Sequence, residues 1–425
     1  MIKYLVYGFG ITGKAVAKHL KNENVDFDIC DKNNKSEDIL SPKEIDIKDY
    51  SHIVVSPGIS PEDELVVNAN VNGIKITSEL QMAYDILSPF NNKFIAVTGT
   101  NGKSTVASLI YSLIKNGSKK DVFLNGNIGS PLIERVSERP KDSFFIIEIS
   151  SYQAEYLFDF SPDIVLLLNL SPDHLARHKT MQCYHDAKTS LLDGMDQGTV
   201  LYDDRDFDIR SFDKIEKKVF KKDFYIKEQS FYYDASLIYK DLNWKLPGEH
   251  NKDNIAFSLA CLQALGLSSE NVKIALEDFT SLEHRIENIY DDGSLSIYND
   301  SKATTFESTL AAVSSFNENV HLIICGRLKE GMNIDQFLKR LVEYKNIDKI
   351  IILGDVNDDI EFNSSGKIIT SKVDWYEFFS GYLKKTKKGV LLFSPGMPSF
   401  DMFKNFEERG RFFKKVISSI LKKTN

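Results

Sequence analysis

The sequence predicts an α/β protein of three doubly wound domains, and three observations carry that expectation. An opening apolar run, Tyr4-Leu5-Val6-Tyr7, meets a glycine-rich turn, Gly8-Phe9-Gly10-Ile11-Thr12-Gly13. A second run, Phe94-Ile95-Ala96-Val97-Thr98, meets another, Gly99-Thr100-Asn101-Gly102-Lys103-Ser104-Thr105. Beyond residue 281, four short apolar runs alternate with helical patterns. Short apolar β-branched runs spaced by helix-length segments are the signature of parallel strands joined by crossover helices.

The length of 425 residues fits about three domains. A hydrophobic content of 42% can fill buried cores, and 27% charged residues is ordinary for a soluble chain. The net charge is −8 and no basic stripe is evident, which argues against nucleic acid as a partner. Cys30, Cys183, Cys261 and Cys325 lie far apart without a C-x-x-C pair. That usage suits a reducing, cytoplasmic setting and neither a disulfide frame nor a structural zinc site. The chain opens on a strand pattern, so no leader is expected. Its longest apolar run, Ile164 to Leu168, is too short to span a bilayer, so no membrane insertion is expected. The amphipathic, basic stretch from Arg411 to Lys423 reads as a terminal helix packed on its own domain.

Residues 1–90 are expected to form a Rossmann-like domain. The opening strand and glycine turn lead into a helix over 14–21, then a strand over 26–30 that ends at Asp31. Strand, glycine turn, helix, strand and acidic residue bring a backbone close to a diphosphate, with a carboxylate placed to meet a ribose. The strand Ile53-Val54-Val55 runs into Ser56-Pro57-Gly58. By itself this fingerprint leaves an NAD-linked oxidoreductase open.

Residues 91–280 carry the second glycine turn. Backbone N–H groups and a helix N-terminus there can cradle an anion, Lys103 can offset phosphate charge, and Ser104 or Thr105 can ligate Mg²⁺. Val97 stands where the strict G-x-x-x-x-G-K-[ST] pattern has glycine, so this is a shortened phosphate loop. The helical pattern is read from Val106. Two buried strands follow, Phe144 to Ile147 ending at Glu148, and Ile164 to Leu168 ending at Asn169. Polar residues at such strand ends sit where open α/β sheets bind ligands. Glu148 is then a candidate Mg²⁺ carboxylate or a plain surface acid. His174, in Pro172-Asp173-His174, is catalytic or structural, and Lys188 taken alone is a solvated helix lysine. The stretch from 200 to 245 is charge-rich and uninformative, and a helix is read over 254–264. Residues 281–425 place strands at 295–298, 322–325, 350–353 and 390–393, giving a second Rossmann-like domain.

Several motifs taken together resemble the Mur ligase family over essentially the whole length. They are Gly99 to Thr105, Gly126-Asn127-Ile128-Gly129, Glu148-Ile149-Ser150-Ser151, Pro172-Asp173-His174, Gly248-Glu249-His250-Asn251, His284-Arg285, Asn299 through Thr304, and Ser394-Pro395 through Lys404-Asn405-Phe406-Glu407-Glu408-Arg409-Gly410. The Asp300-to-Thr304 and Lys404-to-Gly410 runs resemble the D-glutamate-adding branch. The resemblance implies an ATP-dependent amide ligase joining D-glutamate to UDP-N-acetylmuramoyl-L-alanine through an acyl phosphate, in peptidoglycan precursor synthesis. It implies ATP at Gly99, Thr100, Asn101, Gly102, Lys103, Ser104, Thr105, Asn251, Asn254, Arg285 and Asp300. Two Mg²⁺ ions would be held by Ser104, Glu148, His174 and a carbamylated Lys188. The acceptor or its phosphate intermediate would meet Asn127. The UDP-sugar would meet Gly10, Ile11, Thr12, Asp31, Lys32, Ser56 and Gly58. D-Glutamate would meet Lys302, Thr304, Lys329, Ser399, Phe400 and Phe406. A monomer is expected. The chain departs from the family at Ala176, where Asp is common, at the Gly326-to-Gly331 loop and at Met397-Pro398. A nucleotide-dependent regulatory ATPase would explain the phosphate loop but not the Asp300-to-Thr304 run.

Overall fold

The computed structural model describes residues 2–33, 36, 38–210, 214–246, 248–267, 271–317, 319–328, 332–362 and 366–424. The chain packs as two compact units, one of Met1–Asn243 with Lys252–Glu277, the other of Trp244–Asn251 with Asp278–Asn425.

The first unit holds two parallel sheets. The smaller has the order Asp26–Cys30, Lys3–Tyr7, His52–Val55, Lys75–Thr77. The larger has the order Ile215–Val219, Gly198–Tyr202, Ile164–Leu167, Lys93–Thr98, Phe144–Glu148, Val122–Gly126. Strand Lys93–Thr98 is central, and Phe94 to Val97 are almost wholly buried. Apolar side chains on both faces of it, covered by helices, explain the unbroken hydrophobic run. The helix Glu79–Leu87 joins the two sheets and buries Leu80, Ala83 and Leu87 in the core of the larger one. Tyr156 reaches the other way, into the core of the smaller sheet.

The region from 200 to 245, silent in the sequence, forms two strands of the larger sheet and a separate antiparallel sheet, Phe224–Lys227, Ser230–Tyr233 and Ser236–Tyr239. Ile215–Val219 is an edge strand written Ile-Glu-Lys-Lys-Val. Charges on an edge discourage pairing with other chains and erase the apolar signal.

Among the described residues, the second unit forms one sheet, ordered Glu287–Asp291, Leu295–Asn299, Gly389–Gly396, Val320–Cys325, Ile347–Leu353, Ile368–Ser371. Only its first strand runs antiparallel, an addition the sequence pattern did not reveal. The terminal helix Phe406–Thr424 buries Phe413, Val416, Ile417 and Ile420 against this sheet, as its amphipathic pattern predicts. Among the described residues, no helix is long and apolar enough to cross a membrane.

Candidate active site

Two glycines shape the phosphate loop. Gly99 and Gly102 have φ of +145° and +83°. A Cβ on Gly102 would fall 2.4 Å from Asn254 Oδ1, and one on Gly99 would fall 3.0 Å from Leu168 Cβ. Neither position tolerates a side chain, so the loop keeps an open backbone cradle. The helix starts at Lys103, three residues before the apolar pattern reads, because left-handed Gly102 is its N-cap. Its first-turn N–H groups have no intrahelical acceptor and suit an anion.

The neighbouring strand end clasps this loop. Asn101 N–H donates to Asn169 Oδ1 at 2.8 Å, and Asn169 Nδ2 returns a bond to Asn101 O at 3.0 Å. Thr100 N–H donates to Asn169 O at 2.8 Å, and Thr100 Oγ1 accepts from Ser171 N–H at 3.0 Å. The sequence marked Asn169 only as a strand end. Its position at the carboxyl edge of the sheet was the signal available.

Around the loop, five expected residues come together. Ser104 and Glu148 are buried, and the Ser104 hydroxyl donates to Glu148 Oε2. Asn127 Nδ2 donates to Glu148 Oε1 at 3.0 Å. Lys103 Nζ donates to Gly99 O at 3.0 Å and Thr100 O at 2.7 Å. Lys188 is only 1% exposed, and its Nζ donates to the same Gly99 O at 2.8 Å while lying over the Tyr184 ring. Lys188 is therefore not the solvated lysine its helical context suggests. Burial holds its pKa well below the ordinary lysine value, and the Lys103 cation adds to that. Two ammonium groups sharing one carbonyl favour a neutral amine at the buried one. The buried hydroxyl and carboxylate oxygens are hard donors of the kind Mg²⁺ takes, so this set fits that ion.

His174 sits in a left-handed conformation, φ 55°, with Nδ1 3.1 Å from the Tyr152 hydroxyl. Partial desolvation lowers its pKa, against the pull of Asp173, and the Lys103 cation lowers it further.

In the smaller sheet, the first glycine turn is built as expected. Gly8 has φ +95°, its N–H donates to Cys30 O, and Ser56 Oγ donates to Gly8 O at 2.8 Å. A Cβ on Gly13 would lie 2.0 Å from Gly8 O, which explains glycine there. Gly10, Ile11 and Gly58 are exposed beside it, with Thr12 half-buried. Asp31 accepts Phe9 N–H at 2.7 Å and Asn33 N–H at 2.8 Å, so its carboxylate fastens the turn. Lys32 is paired with Asp63, which also caps the helix Glu64–Val71.

Asn254 belongs to the first unit; Asn251, Arg285 and Asp300 belong to the second. In the second unit, the carboxyl ends of strands Leu295–Asn299 and Gly389–Gly396 carry Asp300, Lys302, Thr304, Ser399 and Phe400. Asp300 is buried, accepts Ser394 Oγ–H at 2.7 Å and Ile286 N–H at 3.2 Å, and burial pushes its pKa up to about 7. Lys302 Nζ lies 5.1 Å from the centroid of the Phe406 ring. Ser301 Oγ donates to Phe406 O at 2.8 Å, tying that helix start to the strand end. Ser399 is buried, Thr304 half-buried and Phe400 68% exposed. Arg409, absent from the expected set, is wholly buried and donates to Ser301 O at 2.8 Å and Met397 O at 2.9 Å. Lys329 lies outside the described residues.

The fold and this cluster define a class, and comparison with known proteins agrees. The profile of the Mur ligase middle domain matches residues 97–262. The chain belongs to the Mur ligase family. It is similar to UDP-N-acetylmuramoylalanine–D-glutamate ligase of Prochlorococcus marinus, 34% identical, covering 88% of this chain and 83% of that protein. The protein of the same name from Thermoanaerobacter is 31% identical, covering 98% of each. Among solved structures, the fold is similar to the MurF ligase of Thermotoga maritima in complex with ADP, with a TM-score of 0.62 at 18% identity, over 98% of this chain and 95% of that one.

Proposed function

We propose that this chain is an ATP-dependent amide ligase that joins D-glutamate to UDP-N-acetylmuramoyl-L-alanine, as the names of its relatives imply. The observation that carries the reading is the buried Ser104–Glu148 pair, with Asn127 bonded to Glu148 at its exposed edge, beside two lysines sharing the Gly99 carbonyl. A carboxylate oxygen of the sugar peptide attacks the γ-phosphorus of ATP, and ADP leaves. The amine of D-glutamate then attacks the acyl carbon, loses a proton, and phosphate departs with the former carboxylate oxygen. Each partner of the first step is an anion, so the step needs positive charge already in place. Lys103 and the loop N–H groups supply part of it. Ser104, Glu148, His174 and Lys188 would hold two Mg²⁺ ions, which when bound offset the remaining negative charge. For Lys188 to serve, its amine must be neutral and take up CO₂ as a carbamate, and its burial beside Lys103 supports that chemistry.

Three domains, 1–90, 91–280 and 281–425, would each bring one ligand. The Gly8-to-Gly13 turn with Thr12, Asp31, Lys32, Ser56 and Gly58 would take the UDP-sugar. Asn251, Asn254, Arg285 and Asp300 would serve ATP. Lys302, Thr304, Lys329, Ser399, Phe400 and Phe406 would serve the amino acid. A cytoplasmic monomer fits this reading. The test is phosphate release from ATP with UDP-N-acetylmuramoyl-L-alanine and D-glutamate, L-glutamate, L-alanine or L-lysine added singly. D-Glutamate should drive turnover, with traces at most from the others. Faster turnover with L-alanine, or ATP hydrolysis that needs no amine, would contradict the proposal.

A further inference from the structure

Arg177 has no part in the chemistry above, yet it joins two of the proposed sites. It lies three residues beyond His174 on the short helix Leu175–His178. Its Nη2 donates to the carbonyl of Ile59 at 2.6 Å, and Nη1 reaches that of Gly58 at 3.4 Å. Nε and Nη2 both donate to Glu155 Oε2, at 3.2 and 2.6 Å, which fixes the plane of the fork. Its Cζ lies over the Tyr152 ring, 4.9 Å from the centroid, and the Tyr152 hydroxyl meets His174 Nδ1. The side chain is only 14% exposed, so these bonds are poorly screened by water. A second bond, from the Tyr156 hydroxyl at 3.0 Å, holds the same Ile59 carbonyl.

A planar guanidinium can bind two carbonyls at one edge, a carboxylate at another and a ring on its face; an ammonium cannot. A group that hydrogen-bonds a ligating imidazole sets its orientation, and losing it typically costs about 10–100-fold in metal affinity. We infer that Arg177 is a positioning residue that ties the loop Ser56–Ile59 to the ring of His174 through Tyr152. Seating of the UDP-sugar on that loop thereby orders the metal-side imidazole. This rests on the roles proposed for Gly58 and His174 and adds a coupling between them.

Equilibrium binding tests it without turnover. Mn²⁺ affinity of the full-length protein is measured by electron paramagnetic resonance, with and without UDP-N-acetylmuramoyl-L-alanine, and sugar affinity by calorimetry. In the native protein the sugar should tighten Mn²⁺ binding at least about fivefold, the low end of ordinary site-to-site coupling. Arg177→Ala should abolish that tightening and weaken the sugar about tenfold, as loss of a charged hydrogen bond does. Tyr152→Phe should abolish the tightening and leave sugar affinity unchanged. A purely structural role would weaken both ligands and preserve the ratio. Arg177→Lys, which keeps a donor for Ile59 but no fork, should retain most sugar affinity and lose the coupling, and it carries the test if the alanine variant folds poorly. Coupling retained in Arg177→Ala or Tyr152→Phe, or absent from the native protein, would overturn the inference. A native protein that binds no UDP-sugar would instead overturn the reading beneath it.

Discussion

Replacing Glu79 by Gln should stabilise the first unit at neutral and alkaline pH, and not at acid pH. Glu79 opens the helix between the two sheets, is 3% exposed, and accepts Ile133 N–H at 2.6 Å. Burial raises its pKa from 4.5 to about 7, with the backbone bonds from Ile133 and Leu132 opposing the rise. In the unfolded chain the group titrates near its ordinary value. Between those two values the folded state keeps a proton that the unfolded state releases, so stability falls as pH rises through that window. Above about pH 7 the full cost of burying the charge is present, roughly 3 kcal/mol at 1.36 kcal/mol per pKa unit. Gln keeps an acceptor for Ile133 N–H and carries no charge. Urea unfolding followed by circular dichroism at pH 4, 5, 6, 7 and 8 measures the difference between variant and native protein. The variant's advantage should be near zero at pH 4 and grow to about 3 kcal/mol at pH 8. A difference that does not change with pH would refute the reasoning.

Two further predictions concern the site. Lys188→Ala should lose roughly 10²–10³ in kcat, the usual scale for removing one transition-state charge partner. Acetate should partly restore the rate; Lys188→Arg should stay inactive, since a guanidinium forms no carbamate, and near-normal activity in that variant would make Lys188 an ordinary cation. Asp31→Ala should raise KM for the UDP-sugar about tenfold, on the order of 1.4 kcal/mol, because the turn loses the acceptor of Phe9 and Asn33 N–H. Its KM for ATP should not move, and equal effects on both substrates would remove the sugar assignment.

The central strands were legible because a strand buried on both faces must be apolar throughout, as Phe94 to Val97 and Ile164 to Leu167 are. Ile215–Val219, with its row of charges, and the tyrosine-rich hairpins over 224–239 carry no such pattern. The phosphate loop was legible because glycine, lysine and hydroxyl fall within seven consecutive residues. Asn169, Tyr152 and Arg177 were not, because their meaning lies in partners far along the chain. Asn169 clasps a residue 68 positions earlier, and Arg177 reaches one 118 positions earlier. Lys188 was singled out by resemblance alone; its helical sequence context gives no hint of a side chain 1% exposed beneath the Gly99 carbonyl. Asp31 illustrates a different gap. The fingerprint places a carboxylate at the end of the second strand, but only the folded turn brings the Phe9 and Asn33 N–H groups to its oxygens.

The most direct test of the central claim follows one oxygen atom. UDP-N-acetylmuramoyl-L-alanine is prepared with ¹⁸O in its terminal carboxylate and turned over with ATP, Mg²⁺ and D-glutamate in unlabelled water. Phosphate is then examined by ³¹P nuclear magnetic resonance. An acyl phosphate requires the C–O bond of the carboxylate to break when the amine attacks, so each phosphate released should carry one ¹⁸O. Phosphate without label would mean that water, not the sugar-peptide carboxylate, attacks ATP, and would contradict the account.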